Sequence, residues 1–253
     1  MSGYKIEAGT GQHIAGRPQQ NDRCALYAGA RAPGHVLAVL AEGTQGGAGA
    51  AEQVLHTCKQ LFDTFSADAD SGAERVAALL REIIAEAHAI IKMTPPGAGG
   101  GARAALALLV LTPRGQAVWA QVGAPRLYRF SGAACALRSD DGAYLRQLLA
   151  EGVPEQAARA HRQSAPLNNA LGNDCREPFV TSGQYDGLRA GDAFLLASDG
   201  LWPYFSDAEL AAVVARETPR AGAERLINKA LERAAGKGDN CTLAILKLLA
   251  RPA

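Results

Sequence analysis

The helical segments of this sequence come in consecutive pairs between blocks of strands, and this order constrains the fold most. Apolar residues spaced by three and four predict one helix over Val54–Phe65 and a second over Val76–Ile91. A later pair is predicted where Ser206 caps a short helix running to about Ala215 and a last helix carries Leu226–Ala234. Helices that do not alternate one for one with strands argue against a doubly wound parallel sheet. We therefore expect an α+β layered architecture.

Short apolar runs predict the strands of this architecture, and the chain shows no internal repeat and no long linker. The stretch Thr94–Gly101 is rich in proline and glycine, which predicts a loop within one domain spanning residues 1–253. The predicted strands are Cys24–Tyr27, His35–Ala41, Ala104–Leu111, Val118–Gln121, Arg126–Phe130, Phe194–Ala197 and Cys241–Leu248.

Composition and charge exclude several classes of protein. Twenty-six Lys and Arg against 25 Asp and Glu give a net charge of +1, so no strong global field favours nucleic acid or anionic lipid. No apolar run reaches the roughly 18 residues of a membrane helix, and the start has no signal-peptide pattern. The five cysteines are far apart and form no CxxC pair, which argues against a disulfide framework or a zinc cluster. We expect a cytoplasmic, monomeric protein.

Four acidic residues stand at the ends of the predicted strands. A carboxylate beside a glycine at a strand end lies at the rim of the core, where a ligand can approach the backbone closely. Several such carboxylates converging at one rim would bind Mg²⁺ or Mn²⁺, although acids also simply mark strand ends and turns. The four are Asp22, Glu42, Asp199 and Asp239, and Gly43, Gly200 and Gly238 adjoin three of them.

The glycine-rich stretch Gly43–Gly49 lies between a predicted strand and a predicted helix, which raises the question of nucleotide binding. The P-loop pattern fails because no Gly-Lys-Ser/Thr follows. The dinucleotide pattern fits poorly because Glu52 occupies the place of the third glycine. The carboxylate of Glu42 would also repel a pyrophosphate.

Five segments, taken in order, resemble the motifs of the metal-dependent type 2C protein phosphatases, the PPM family. The resemblance spans about residues 5 to 248, and its last two motifs are the most specific. The segments are Gly16–Arg23 (an Arg followed by Asn-Glu-Asp in the family), Leu40–Gly47 (Ala-Asp-Gly-Met-Gly-Gly), Val122–Tyr128 (Gly-Asp-Ser-Arg-Leu-Tyr), Leu196–Trp202 (Ser-Asp-Gly-Leu) and Gly238–Thr242 (Asp-Asn-x-Thr).

The resemblance implies a four-layer αββα sandwich, with two antiparallel sheets flanked by helix pairs. It implies hydrolysis of phosphoserine and phosphothreonine by water held between two divalent cations, Mn²⁺ or Mg²⁺, which lower the pKa of that water for in-line attack. The partner would be a phosphoprotein substrate or a Ser/Thr kinase. By the match, Arg17 binds the phosphoryl group, Asp199 and Asp239 ligate one metal, Glu42 bridges both, Gly43 serves the second through its carbonyl, and Asp22 and Asn21 act through water.

The sequence departs from the family at several positions of the implied site. Glu42 stands where the family has Asp, and Asn21 where it has an acid. Ala124 replaces an Asp associated with a further metal, and Gly142 replaces a His that could protonate the leaving group. Arg103 occupies the place of a small hydroxyl residue. The helix and strand patterns carry no comparable changes.

These departures leave two functions open. One is a weakened or substrate-restricted phosphatase. The other is a catalytically inactive pseudophosphatase that binds a phosphoprotein or a kinase. Two further features have alternative explanations. The aromatic cluster Trp202–Phe205 could pack under the site or face a partner, and we favour packing. The basic residues Arg159, His161 and Arg162 could contact a phosphopeptide or lie on a solvated helix face, and we favour the helix face.

Overall fold

The computed structural model describes residues 4–44, 47–67, 72–94, 101–139, 143–160, 169–173 and 177–251. Within these ranges the chain forms ten strands and six α-helices. The strands are β1 (Tyr4–His13), β2 (Asp22–Ala28), β3 (Val36–Thr44), β4 (Arg103–Leu111), β5 (Gln116–Val122), β6 (Arg126–Ser131), β7 (Ala134–Arg138), β8 (Thr181–Asp186), β9 (Asp192–Ala197) and β10 (Cys241–Ala250). The helices are α1 (Ala48–Thr64), α2 (Ala73–Met93), α3 (Ala143–Ala150), α4 (Glu155–Ala160), α5 (Asp207–Arg216) and α6 (Pro219–Ala234).

The strands form two five-stranded sheets, and every strand pair in them is antiparallel. The first sheet has the order β2-β3-β4-β5-β8, and the second has the order β1-β10-β9-β6-β7. Helices α1 and α2 cover the outer face of the first sheet, and α5 and α6 cover that of the second. A third apolar layer lies between the sheets. The predicted α+β sandwich of four layers is confirmed.

Strand β3 shows why the central strands appear in the sequence as continuous apolar runs. Its side chains alternate between two cores, because successive residues of a strand point to opposite faces. Leu37 and Val39 pack under the helices, whereas Ala38 and Leu40 pack between the sheets. Glu42 follows Leu40 on the face between the sheets. The alternation therefore places this carboxylate at the end of the layer that separates the two sheets.

Helix α5 begins as the sequence predicts. The hydroxyl of Ser206 accepts a hydrogen bond from the backbone N–H of Glu209, and the Glu209 carboxylate accepts one from the N–H of Ser206. This capping box satisfies two backbone donors of the first turn. No helix in the described ranges is both long and apolar enough to cross a bilayer.

The structure differs from the predicted strands in three respects. Strands β1 and β8 consist largely of polar residues and glycine, and β7 is only five residues long, so none of the three has an apolar run long enough to have revealed it. Asp22 is the first residue of β2 rather than its predecessor, and Glu42 lies inside β3 rather than after it. The ladder continues through these acids because backbone pairing of Asp22 with Glu42, and of Glu42 with Ala105, does not depend on side-chain polarity.

Candidate active site

One cleft collects the acidic residues from both sheets. It has a volume of about 700 Å³ and lies where the first sheet meets the ends of β9 and β10; we name it the acidic cleft. Its lining comprises Arg17, Pro18, Gln19, Asn21, Asp22, Glu42, Gly43, Thr44, Arg103, Ala105, Asp199, Asp239 and Asn240.

The first sheet supplies the most deeply buried carboxylates of the acidic cleft. Asp22 and Glu42 are register partners on β2 and β3, and they are 4% and 5% exposed. Oε1 of Glu42 accepts a hydrogen bond of 2.7 Å from the backbone N–H of Asp199, which belongs to the other sheet. Oδ2 of Asp22 is buried and has no hydrogen-bond partner in the described structure. The extra methylene of Glu42 thus reaches across the cleft and ties the sheets together.

The second sheet supplies Asp199 and Asp239 from the adjoining ends of β9 and β10. Two hydrogen bonds between Ser198 and Thr242, of 2.9 and 2.8 Å, hold these strand ends together. Gly200 follows Asp199 at a point where a Cβ would lie 2.1 Å from the carbonyl oxygen of Asn240. Only glycine permits this approach of the two chains, which explains the Asp-Gly pair.

Asn240 organises the loop that carries Arg17. Its Nδ2 donates hydrogen bonds of 2.9 Å to the carbonyl oxygens of Ile14 and Gln19. Its Oδ1 accepts a hydrogen bond of 2.7 Å from the backbone N–H of Asn21. The side chain is buried and satisfied, so it fixes both ends of the loop between β1 and β2.

Arg17 forms a two-pronged ion pair with Asp239. Its Nε and Nη2 donate hydrogen bonds of 2.8 and 2.5 Å to the two carboxylate oxygens. Paired contacts between a guanidinium and a carboxylate are the strong, oriented form of such ion pairs. One of the four carboxylates in the acidic cleft therefore already has a cationic partner within the protein.

The remaining three carboxylates are held in a setting that disfavours their charge. Burial, with repulsion from Asp199 and Asp239, raises the pKa of Asp22 to about 8. Burial and the neighbouring Asp199 and Asp22 raise the pKa of Glu42 well above its ordinary value. Burial and repulsion from Asp239 raise the pKa of Asp199 to about 6. A cation placed among these groups would relieve both the repulsion and the cost of burial.

The donor set fits a hard divalent cation, because carboxylate and carbonyl oxygens are the ligands such ions prefer. The orphaned Oδ2 of Asp22 and the three raised pKa values point the same way. As arranged, no three His, Cys, Asp or Glu side chains of the described ranges close around a common point. Two of these carboxylates already have protein partners: Asp239 is engaged by Arg17, and Glu42 by the N–H of Asp199. A cation at Asp239 would have to displace Arg17.

The structure brings every site residue proposed from the sequence into the acidic cleft, namely Arg17, Asp22, Glu42, Gly43, Asp199 and Asp239. Ala124 is buried outside this lining, and its carbonyl accepts a 3.2 Å hydrogen bond from Nε1 of Trp202. Trp202 also stacks on the guanidinium of Arg126, which lies 3.3 Å from the ring centroid, so its ring packs within the protein. Gly142, His161, Arg162 and the Arg159 side chain fall outside the described part of the chain.

Sequence reasoning gave no role to Asn240 or Arg103, both of which line the acidic cleft. Asn240 is a buried polar residue, and its position between an acid and an apolar strand could have singled it out in the sequence. The sequence showed Arg103 as a departure from the family motif, but its orientation depends on the register between β3 and β4.

Comparison with known proteins identifies the fold. No family model and no curated protein matches the sequence. A serine/threonine phosphatase from S. agalactiae is 20% identical, with a TM-score of 0.77 over 96% of this chain and 99% of that chain. The M. tuberculosis serine/threonine phosphatase PstP/Ppp is 25% identical, with a TM-score of 0.69 over 97% and 99%. The catalytic domain of PstP in complex with two manganese ions is 24% identical, with a TM-score of 0.66 over 97% and 98%.

Proposed function

We propose that this chain, whose fold is that of the bacterial type 2C serine/threonine phosphatases, is a divergent phosphatase that hydrolyses phosphoserine and phosphothreonine in proteins. The observation that carries the proposal is the meeting of four carboxylates and Arg17 in one cleft. The carboxylates come from both sheets, so the fold itself assembles the site. The substrate would be a phosphoprotein.

Divalent cations, Mn²⁺ or Mg²⁺, are part of the proposal. Asp22, Glu42, Asp199 and Asp239, with the carbonyl of Gly43, would hold them, and the bound cations would supply an activated water as the nucleophile. The complex of the PstP catalytic domain with two manganese ions supports metal dependence. Glu42 would serve with its longer side chain in place of the family's Asp.

Arg17 would bind the oxygens of the phosphoryl group with its planar fork. That fork faces Asp239 in the ion pair, so Arg17 must leave Asp239 before it can bind a phosphoryl group. The Arg17 side chain is more than half exposed, and an exposed ion pair is weak, so little free energy opposes the exchange. Asn240 holds the loop in place while the side chain moves.

A phosphothreonine peptide hydrolysed in the presence of Mn²⁺ tests the proposal. We expect wild-type activity to require the metal and to fall by more than about 100-fold in Asp199→Asn, because that substitution removes a charged donor from the cleft. Asp63→Asn is the matched control, since Asp63 is an exposed acid on α1 that pairs with Lys59 outside the cleft. Equal background rates in wild type and Asp199→Asn would refute hydrolysis.

A second function is favoured by one contact. One oxygen of the Glu42 carboxylate, which would help to hold the cations, accepts the N–H of Asp199. If this contact kept the cations from binding, the chain would bind a phosphoprotein or a kinase without turnover. Binding of the phosphothreonine peptide in the presence of Mn²⁺, with no phosphate released, would favour this pseudophosphatase over the enzyme.

A further inference from the structure

A second arginine faces the acidic cleft from the first sheet. Arg103 opens β4 and is the register partner of Thr44, and Ala105, two residues on, is the partner of Glu42. Side chains two apart on a strand share a face. Arg103 therefore lies on the face of β4 that carries Ala107 and Leu109 into the layer between the sheets. Its place in the cleft lining agrees with this orientation.

The guanidinium of Arg103 has an unmet hydrogen-bond donor. Its Nε is buried and finds no acceptor among the described residues. Buried donors are normally satisfied, and a functional site is one of the places where an exception has an explanation. Arg17 differs from Arg103 in this respect, because both of its donors in the ion pair are taken up by Asp239.

The backbone that carries Arg103 is held on both sides. Ala104 exchanges two backbone hydrogen bonds with Leu171, of 3.3 and 2.8 Å, in an isolated bridge. The hydroxyl of Thr44 donates a 3.4 Å hydrogen bond to the carbonyl of Arg103. The position from which the guanidinium enters the acidic cleft is therefore fixed by the sheet and its neighbour rather than by a loop.

We propose that Arg103 is a substrate-binding residue that donates hydrogen bonds to the phosphoryl oxygens of the phosphoprotein. The substrate class rests on the proposed function. A phosphoryl group carries up to two charges and three acceptor oxygens, and a guanidinium offers a matching planar set of donors. The acidic cleft holds four carboxylates against two arginines, so an anion entering it needs local cations. Arg103 would contact it from the first sheet, in addition to Arg17 from the loop between β1 and β2.

Binding of two probes tests this role: inorganic phosphate, and a labelled phosphothreonine peptide beside its unphosphorylated form. Each probe is titrated once with Mn²⁺ and once with a chelator. The titration of the peptide with Mn²⁺ uses proteins that also carry Asp199→Asn. We expect Arg103→Thr, which restores a small hydroxyl residue, to weaken both phosphorylated probes by about 10- to 100-fold. Arg103→Lys keeps the charge without the fork and should fall between. The unphosphorylated peptide should bind poorly throughout.

Arg138→Thr is the matched control, because Arg138 is a strand arginine that pairs with Asp207 away from the cleft. It should leave both affinities unchanged. Affinities of Arg103→Thr within twofold of its parent would overturn the inference. So would a loss for the peptide alone, which would place Arg103 on the rest of the peptide, or no binding of either phosphorylated probe to the parent. Melting temperatures of the variants show that each is folded.

Turnover measured on the same proteins separates this inference from the proposed function. If the protein hydrolyses the peptide but Arg103→Thr does not change binding, the proposed function is supported and the inference about Arg103 is wrong. If binding depends on Arg103 but no hydrolysis occurs, the inference is supported and the proposed phosphatase activity is wrong.

Discussion

The two walls of the acidic cleft carry equal numbers of carboxylates in different surroundings. On the first sheet, Asp22 and Glu42 are buried, and burial raises the pKa of both. On the second sheet, burial also raises the pKa of Asp199, but the Asp239 side chain is 42% exposed and is paired with Arg17. The charge is therefore costly for both acids of the first wall, whereas one of the two acids of the second wall is already compensated. The need for an added cation is greatest on the first wall.

Three of the departures from the phosphatase motifs lie on the same costly wall. Asp199 and Asp239 stand in segments that match the family closely, whereas Asn21, Glu42 and Arg103 all belong to β2, β3 and β4 or their immediate approach. Compared with the family motifs, Asn21 removes a negative charge from this wall and Arg103 adds a positive one to it. The two walls thus differ in their charge as well as in how closely their sequences match the family motifs.

The largest expected effect is the pH dependence of the metal-free protein. The folded pKa of Asp22 is about 8 and its unfolded value is near 4. The folded state then binds more protons than the unfolded state between these values, so stability falls as pH rises from 4 to 8. The expected loss is on the order of several kcal/mol. Urea unfolding at a series of pH values, with a chelator present, measures it.

Asp22→Asn should make this decline shallower, because one of the groups that exchange a proton is gone, while Glu42 and Asp199, whose pKa values are also raised, remain. Asp239→Asn, on the compensated wall, should leave most of the slope in place. Adding Mn²⁺ at pH 8 should restore stability in wild type. A metal-free protein that grows more stable toward pH 8 would contradict the contrast between the walls.

The next effect concerns the contact that joins the walls. Glu42→Asp withdraws the carboxylate by one methylene and should break the hydrogen bond to the N–H of Asp199. We expect a loss of about 1–3 kcal/mol in the free energy of unfolding of the metal-free protein. Glu42→Gln keeps the reach and the contact, so its metal-free stability should change little. The lost charge should reduce the stabilisation that Mn²⁺ gives.

Thermal unfolding of the three proteins, with chelator and with Mn²⁺, makes this comparison. If Glu42→Asp were as stable as wild type without metal, the contact would carry no free energy. If Mn²⁺ stabilised Glu42→Gln as much as wild type, Glu42 would have no part in holding the cation.

Much of the fold was predictable because its signals are local. The helix pairs and the central strands can be recognised from the spacing of apolar residues over ten to twenty positions. Strand β1 cannot, because Tyr4–His13 has few apolar residues among its polar residues and glycines, and it becomes a strand by pairing with β10 along its whole length. That ladder joins the two ends of the chain. Local patterns contain no information about such a pairing.

In the site, too, local features could be predicted from the sequence and long-range contacts could not. Its acids could be found from their places at strand ends and beside glycines. Their partners could not, because Arg17 and Asp239 are 222 residues apart, and Glu42 and Asp199 are 157 apart. The inward orientation of Arg103 follows from strand register, which the sequence leaves open.

The smallest expected effect tests the compensated wall. Arg17→Ala removes a cation from an ion pair whose side chains are 56% and 42% exposed. Exposed pairs contribute little, so the free energy of unfolding should fall by less than about 1 kcal/mol. Freed of its internal partner, Asp239 should bind Mn²⁺ more tightly, which calorimetry measures without any substrate. Arg23→Ala is the control, since Arg23 pairs with Glu52 at the edge of the first sheet. A loss well above 1 kcal/mol would show that the second wall depends on its cation as strongly as the first, and the contrast between the walls would fail.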